Sequence, residues 1–503
     1  MAAHAATPSP QLSAARAEGA AHPLTRPWAL ALAIAIPLVA VYLIWMPPAA
    51  DLAAATYRSD LFARVGFTLR DHGWYAAHGH YLLGYSLLSP ALGALLGVRM
   101  ELACSALAAC ALFGLIAERV FGLAAGRVAA ALFALGFCVG LLSGRVPYDL
   151  GFAIGLGAVL ALLRGRFALA LLLALLTSAA SPVAGAFLAL AGLAYALAAA
   201  WDGHDHESNP GQSQAQDHGQ DRNRDRHRKL PFSARTQARQ GLALAAAALL
   251  PIVVLALVFP EGGYEPFAPS AFWPALAGVL LIALLLPRGT LTPRAQRTVR
   301  AGAALYAVAL ISAFAIDTPV GGNATRLAAL LAAPLLAGVL WRSHRVALCV
   351  IAPVLLYWML ATPGKDSFAI AGNPSVEASY YTPLRAELAR LRHGAPTIVE
   401  VPLTAAHWEA ADLAGHDGVS LARGWERQLD TRYAALFYRP GLTASAYDAW
   451  LRENHVAYIA LPDAPLDHAG RAEGALVAKG LPYLREVWHS RHWRLYEVLA
   501  QPR

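Results

Sequence analysis

From residue 28 onward, long apolar blocks alternate with short polar or basic breaks. The first, "WALALAIAIPLVAVYLIWM" (28–46), has 19 residues without a charge. That is close to the roughly 20 a helix needs to cross a hydrocarbon core. It is too long for the apolar core of a cleavable leader, and no small-residue cleavage site accompanies it. Further blocks cover 102–116, 128–144, 150–163, 242–259, 273–287, 301–316, 327–341 and 346–361. The block at 167–201 is too long for one crossing and reads as two helices meeting near Ser181-Pro182. Backbone groups in lipid must bond internally, so each block predicts a helix. The stretch 80–98 is broken by Gly84, Pro90 and Gly93 and reads as a re-entrant or interfacial helix.

Arg119 and Arg127, Arg164 and Arg166, the arginines from 288 to 300, and Arg342 and Arg345 fall in alternate breaks. Placing every basic cluster in the cytoplasm gives about eleven crossings, with the N-terminal tail (1–27) inside. The resulting expectation is a polytopic α-helical membrane protein of the cell (plasma) membrane. An N-terminal module (28–201) carries an external loop at 47–100, and a second module covers 241–361. Between them, 202–240 is polar, poor in aliphatics and basic, which predicts a disordered cytoplasmic loop. From Thr362 the composition becomes that of a soluble domain (362–503), extracytoplasmic by parity. In it "APTIVEVPLT" and "VAYIALPD" predict buried strands, "ASAYDAWLREN" a helix, and "REVWHSRHWRLYEVL" a hairpin turning near His489–Arg491, together a small α/β domain.

Composition supports this picture: 57% of the 503 residues are hydrophobic and 14% charged, against roughly 25% charged in an ordinary soluble domain. The net charge of +8 sits in short clusters between apolar blocks, as orientation signals do, which argues against nucleic acid as a partner. Cys104, Cys110, Cys138 and Cys349 all lie in apolar segments, as small core residues do.

Ionisable groups at a membrane face are costly unless solvated or paired, so their clustering marks candidate chemistry. Three external positions gather them: the loop with Arg58, Asp60, Arg64, Arg70, Asp71, His72, His78 and His80; "SGRVPYD" with Arg145 and Asp149; and "DTPVGGNATR" with Asp317 and Arg326. Cations there could hold a lipid-linked phosphate, and a carboxylate could deprotonate an incoming hydroxyl. Asp317, beside glycines in a short loop, suits a turn instead.

The stretch "SDLFARVGFTLRDHGWYAAHGHYLLGYSLLSPALGALLG" resembles the first external loop of polyprenyl-phosphate-sugar-dependent glycosyltransferases of the GT-C fold. "GRVPYDLGFAIGLGAVLALLRGR" is similar to that superfamily's helix with an outer Asp and inner Arg, and "LALLTSAASPVAGAFLAL" to its "LxxLTKGPxxLLLP" hairpin. "RGWERQLD" resembles a stretch in actinobacterial-type large membrane proteins. The GT-C resemblance implies transfer of a sugar from a polyprenyl-phosphate donor to an envelope glycan, lipid or protein acceptor at the outer face. It implies phosphate binding by Arg145 with Arg58, Arg64 or Arg326, and a base at Asp60 or Asp51. Asp149 would orient the acceptor, and Trp74, Tyr75 and Tyr81 would stack on sugar rings. His78 and His80 could contact a divalent cation, but two ligands fall short of the four of a closed zinc site, so no metal site is assigned. In the soluble domain, Arg423, Trp425, Glu426, Arg427 and Asp430 either contact a glycan or form a salt-bridged helix start. The alternatives are a transporter or flippase of a lipid-linked or small solute, and a non-catalytic envelope scaffold. The transporter reading is weakened by the scarcity of charge within the apolar blocks.

Overall fold

The computed structural model describes residues 25–82, 85–208, 234–260, 262–287, 289 and 291–500. The apolar blocks are helices α1 (Pro27–Trp45), α4 (Val98–Gly140), α5 (Val146–Leu163), α6 (Phe167–Ala180), α7 (Pro182–Ser208), α8 (Ala234–Val258), α9 (Pro269–Leu285), α10 (Pro293–Ala315), α11 (Arg326–Leu340) and α12 (Arg345–Ile370). Two further helices, α2 (Ala50–Val65) and α3 (Ser89–Leu96), lie in the loop after α1. Eight helical spans among the described residues are long and apolar enough to cross a membrane, and α6 and α9 are shorter apolar helices. The outward faces are greasy. On α12, Val346, Val350, Val354 and Tyr357 recur at helical spacing and are all exposed. This is the chemistry of a polytopic helical protein whose surrounding solvent is lipid.

Although its hydrogen bonding runs on, α4 is two arms. Gly122 stands at φ 74°, ψ −176°, a conformation closed to residues with a side chain. Phe113 and Phe133 stack with ring centroids 4.1 Å apart, where a straight helix would separate them by about 30 Å. The chain therefore doubles back at Gly122, and the two blocks expected at 102–116 and 128–144 are its arms.

Residues beyond α12 build a five-stranded sheet in the order β4-β3-β5-β7-β6, from β3 (Thr397–Glu400), β4 (Val419–Leu421), β5 (Tyr458–Pro462), β6 (Leu484–His489) and β7 (Trp493–Val498). β3 pairs parallel with β4 and β5, and β7 antiparallel with β5 and β6. Its helices are α13 (Ala378–Leu391), α14 (Glu409–Asp412), α15 (Arg427–Tyr433), α16 (Ala444–Glu453) and α17 (His468–Ala478). The expected strands, helix and hairpin are present; β4, only three residues long, had no sequence signal.

Three boundaries differ from expectation. The final apolar helix does not stop at 361 but runs to Ile370, through Pro363, because Asp366 near its end is paired rather than stranded. Within 80–98 the helices are α3 and the first residue of α4, while His80–Tyr81 (β2) pairs antiparallel with Arg70–Asp71 (β1). Of the loop expected to be disordered (202–240), residues 209–233 lie outside the described residues, while helix continues to Ser208 and resumes at Ala234. Most of the expected cytoplasmic tail (1–27), residues 1–24, also lies outside them.

The loop between α1 and α4 and the sheet are one packed body. Trp74, 0% exposed, stacks on Tyr57 at 4.5 Å and donates from Nε1 to the Ala410 carbonyl at 2.9 Å. The Leu421 amide donates to the Gly73 carbonyl and the Ala76 amide to the Leu421 carbonyl, so the loop backbone covers the free edge of β4.

Candidate functional site

The site begins with a turn. Gly144, at φ 72°, packs so closely on the start of α2 that a Cβ there would lie 2.8 Å from Ala49 Cβ and 2.9 Å from the Leu52 amide nitrogen. This contact sets Arg145, the residue before α5, alongside Asp51 in the first turn of α2, with Nε to Oδ2 at 3.6 Å. The same guanidinium reaches Asp366 at 3.3 Å, and the Ser143 hydroxyl donates to that carboxylate at 2.6 Å. Asp149 lies in the first turn of α5 and is 7% exposed, within electrostatic reach of Arg145, Arg326 and Asp51. Arg326 opens α11 and lies over the Tyr148 ring at 5.2 Å. Glu265, in the loop between α8 and α9, is held by its backbone N–H, which donates to the Thr318 carbonyl at 2.9 Å.

Five separate segments thus deliver Asp51, Asp149, Glu265 and Asp366 around Arg145 and Arg326 at one end of the bundle. The side chains of Asp51 and Asp366 are 33% and 40% exposed, so the cluster opens to solvent while Asp149 lies beneath it. Arg427 of α15 acts on Glu265 from the sheet side. Burial pushes the Glu265 carboxyl up to about 7, with Arg427 and Arg326 opposing and Asp51 adding to the rise. Carboxylates in the first turns of α2 and α5 complement the positive helix ends, while the two guanidiniums leave donors for an anion.

The other predicted residues go elsewhere. Asp60 is exposed on α2, beside Arg64 and His416, with its carboxyl raised by partial burial. Its neighbour across the domain contact is Asp412, whose carboxyl burial pushes to about 6, against Arg385 and with the help of Asp60. Arg58, 2% exposed, is bonded to Glu426 at 2.6 Å and lies over the rings of Tyr85 and Trp74, so it is a packing cation. Trp74 and Tyr75 present no face to a sugar, because both are 0% exposed; the Tyr75 hydroxyl donates to the Glu426 carbonyl at 3.0 Å. Tyr81 packs on Phe259, and His78 stacks on Tyr433 at 4.4 Å. His80 is buried against Trp74, and burial, then Arg58, lowers its pKa to about 3. Asp317 is exposed at the end of α10. Among the described residues, no group of three or more His, Cys, Asp or Glu side chains is arranged to hold a metal ion.

In the sheet domain, Arg423 is buried and bonded to Glu400 at 2.8 Å and to Glu473, with Tyr447 donating to Glu473 at 2.7 Å. It is an internal tie. Arg427 pairs with Asp467 at 3.2 Å, and Trp425 stacks on His407 at 3.5 Å. For Asp467, burial raises the carboxyl, but bonds from His407 and His468 and the charge of Arg427 outweigh it and hold it low.

Asp366 and Glu265 were missed from sequence. Their only signals are an acidic residue just past an apolar run, "GKDS", and one in a glycine-containing loop, "GGYEPF". Comparison with protein-family models and with curated proteins finds no match for this chain, so the case for its function rests on this geometry.

Proposed function

We propose that the protein is a membrane glycosyltransferase that moves a sugar from a polyprenyl-phosphate donor to an envelope glycan, lipid or protein acceptor at the outer membrane face. The observation that carries this reading is the gathering of Asp51, Arg145, Asp149 and Arg326 at one end of apolar helices. Arg145 and Arg326 would hold the donor phosphate and neutralise the charge that develops as the glycosidic oxygen leaves. Asp51, solvent-open and in contact with Arg145, would take the proton of the acceptor hydroxyl as it attacks the anomeric carbon. Asp149, beneath, would orient the acceptor. Asp51 rather than Asp60 takes the role of base because only Asp51 shares the cluster with the arginines.

The reading places the cluster and the sheet domain outside a cell membrane crossed about eleven times, counting the two arms of α4 and the short helices α6 and α9. Three contacts support it. Gly122 at the α4 turn approaches Arg342, Arg26 pairs with Glu118, and Arg294 lies over Tyr195. These basic residues share the end opposite the cluster, as cytoplasmic loops would.

The test is transfer of labelled sugar from a polyprenyl-phospho-sugar in membranes holding the wild type, Asp51→Asn or Arg326→Gln. Transfer lost in both variants supports the reading. Full transfer in Asp51→Asn, or none in the wild type with any donor, would refute it. Cysteine-accessibility mapping that places the 341–345 loop outside would overturn the sidedness.

A further inference from the structure

Away from that cluster, α2, α3 and α4 enclose a second polar group. Glu101, in the first turn of α4, is 2% exposed, and Ser59, Ser89 and Ser105 are buried with it. Glu101 and Ser105 are four residues apart and share one face of α4; Ser89 and Gly93 likewise share one face of α3. The Ser89 hydroxyl faces the Glu101 carboxyl. Ser59 lies against Gly93, where a Cβ would fall 2.2 Å from its Oγ. Ser59, Ser89 and Glu101 thus meet at the α3 seam, and Ser105 lies one helical turn from Glu101 on the same face of α4.

Apart from Ser89, which faces Glu101, their oxygens lack well-formed partners. Neither Glu101 oxygen, nor the hydroxyls of Ser59 and Ser105, has a well-formed hydrogen bond within the protein. No ion pair reaches Glu101 among the described residues, and Arg99 nearby donates instead to the Pro47 carbonyl at 2.8 Å. A buried carboxylate without a counter-charge is strongly unfavourable. Four hard oxygen side chains with one formal negative charge match a hard cation of charge one. A divalent ion would leave an uncompensated positive charge in the same dry place.

We propose that Ser59, Ser89, Glu101 and Ser105 form a binding site for a sodium-sized monovalent cation, which pins the short helix α3 between α2 and α4. The site is independent of the transferase reading, because none of its residues belongs to the Asp51 cluster. The ion is bound by the folded chain alone, so it stabilises by mass action.

The experiment melts the purified full chain in detergent at mildly alkaline pH, exchanging choline for sodium at constant ionic strength, and measures binding of radioactive sodium in parallel. The expected result is a saturable rise of about 2–4 °C with sodium, stoichiometric binding, and loss of both in Glu101→Gln. Ser105→Ala and Ser59→Ala, which remove one neutral ligand each, should weaken binding while the chain still folds. They decide the matter if Glu101→Gln does not fold. A wild type that binds no sodium and melts identically in choline would overturn the proposal and assign the cluster to ordered water or a protonated carboxyl. Unchanged affinity in both serine variants would also overturn it.

Discussion

Breaking the Arg58–Glu426 pair tests how firmly the loop between α1 and α4 is fastened to the sheet domain. The two side chains are 1% and 6% exposed and meet at 2.6 Å across 368 residues of chain. At an effective dielectric of about 20 and a charge separation of about 4 Å, their attraction is about 4 kcal/mol. Removing one partner also leaves the other charge buried, so Arg58→Met and Glu426→Leu should each cost about 3–5 kcal/mol. The Arg58 change also forfeits its contacts over Trp74 and Tyr85, worth about 1–2 kcal/mol. The double variant exchanges both charges for apolar groups and should cost far less than the sum, giving a coupling of about 2 kcal/mol or more. Denaturant unfolding of the full chain in detergent, followed by tryptophan fluorescence, reads all four corners of the cycle. Single effects that add to within about 0.5 kcal/mol would refute the view that this pair fastens the loop.

Three further outcomes follow from the geometry. Asp51→Asn should reduce sugar transfer by about 10²–10⁴-fold, whereas Asp60→Asn should leave it intact, a contrast read in one membrane assay. Glu265 is raised to about 7 in the folded chain from about 4.3 when unfolded, so the native state holds its proton more tightly. Its stabilising share is complete below the lower value and is lost as pH rises through about 7. Glu265→Gln should flatten that part of a melting-temperature-against-pH curve. Gly122→Ala should cost about 1–3 kcal/mol, because its φ and ψ admit only glycine. Gly140→Ala, at an ordinary helical φ of −57° with open space around it, should be neutral or slightly stabilising by the same unfolding measurement.

The helices were legible because lipid demands long uninterrupted apolar runs, and the runs name themselves. Helix ends were less so. α12 passes through "PGKDSF" because Arg145 and Ser143 satisfy Asp366, partners more than 200 residues earlier that no local window contains. The cluster was half visible: Arg145, Asp149 and Arg326 were named, and Asp51 was the second choice for the base. That Asp51 and not Asp60 lies beside Arg145 follows from the approach of Gly144 to the start of α2, a packing contact rather than a motif. Trp74 and Tyr75 looked like sugar-stacking aromatics because an aromatic in a loop reads the same whether it faces a ligand or an unseen domain. Their burial is decided by Ala410, Gly424 and Glu426.

That last arrangement has a cost in time. The Trp74 indole waits for a carbonyl 336 residues further along the chain, and at about 5–20 residues per second the wait is roughly 20–70 s of synthesis. Until the ribosome has passed residue 426, Trp74, Tyr75 and Arg58 have their near neighbours Tyr57, His80 and Tyr85 but not the full set of sheet-domain groups that close over them. The nascent chain therefore carries a sticky, charged hairpin through the insertion of nearly all its apolar helices. Closing it waits for the sheet domain, which is made after the apolar helices.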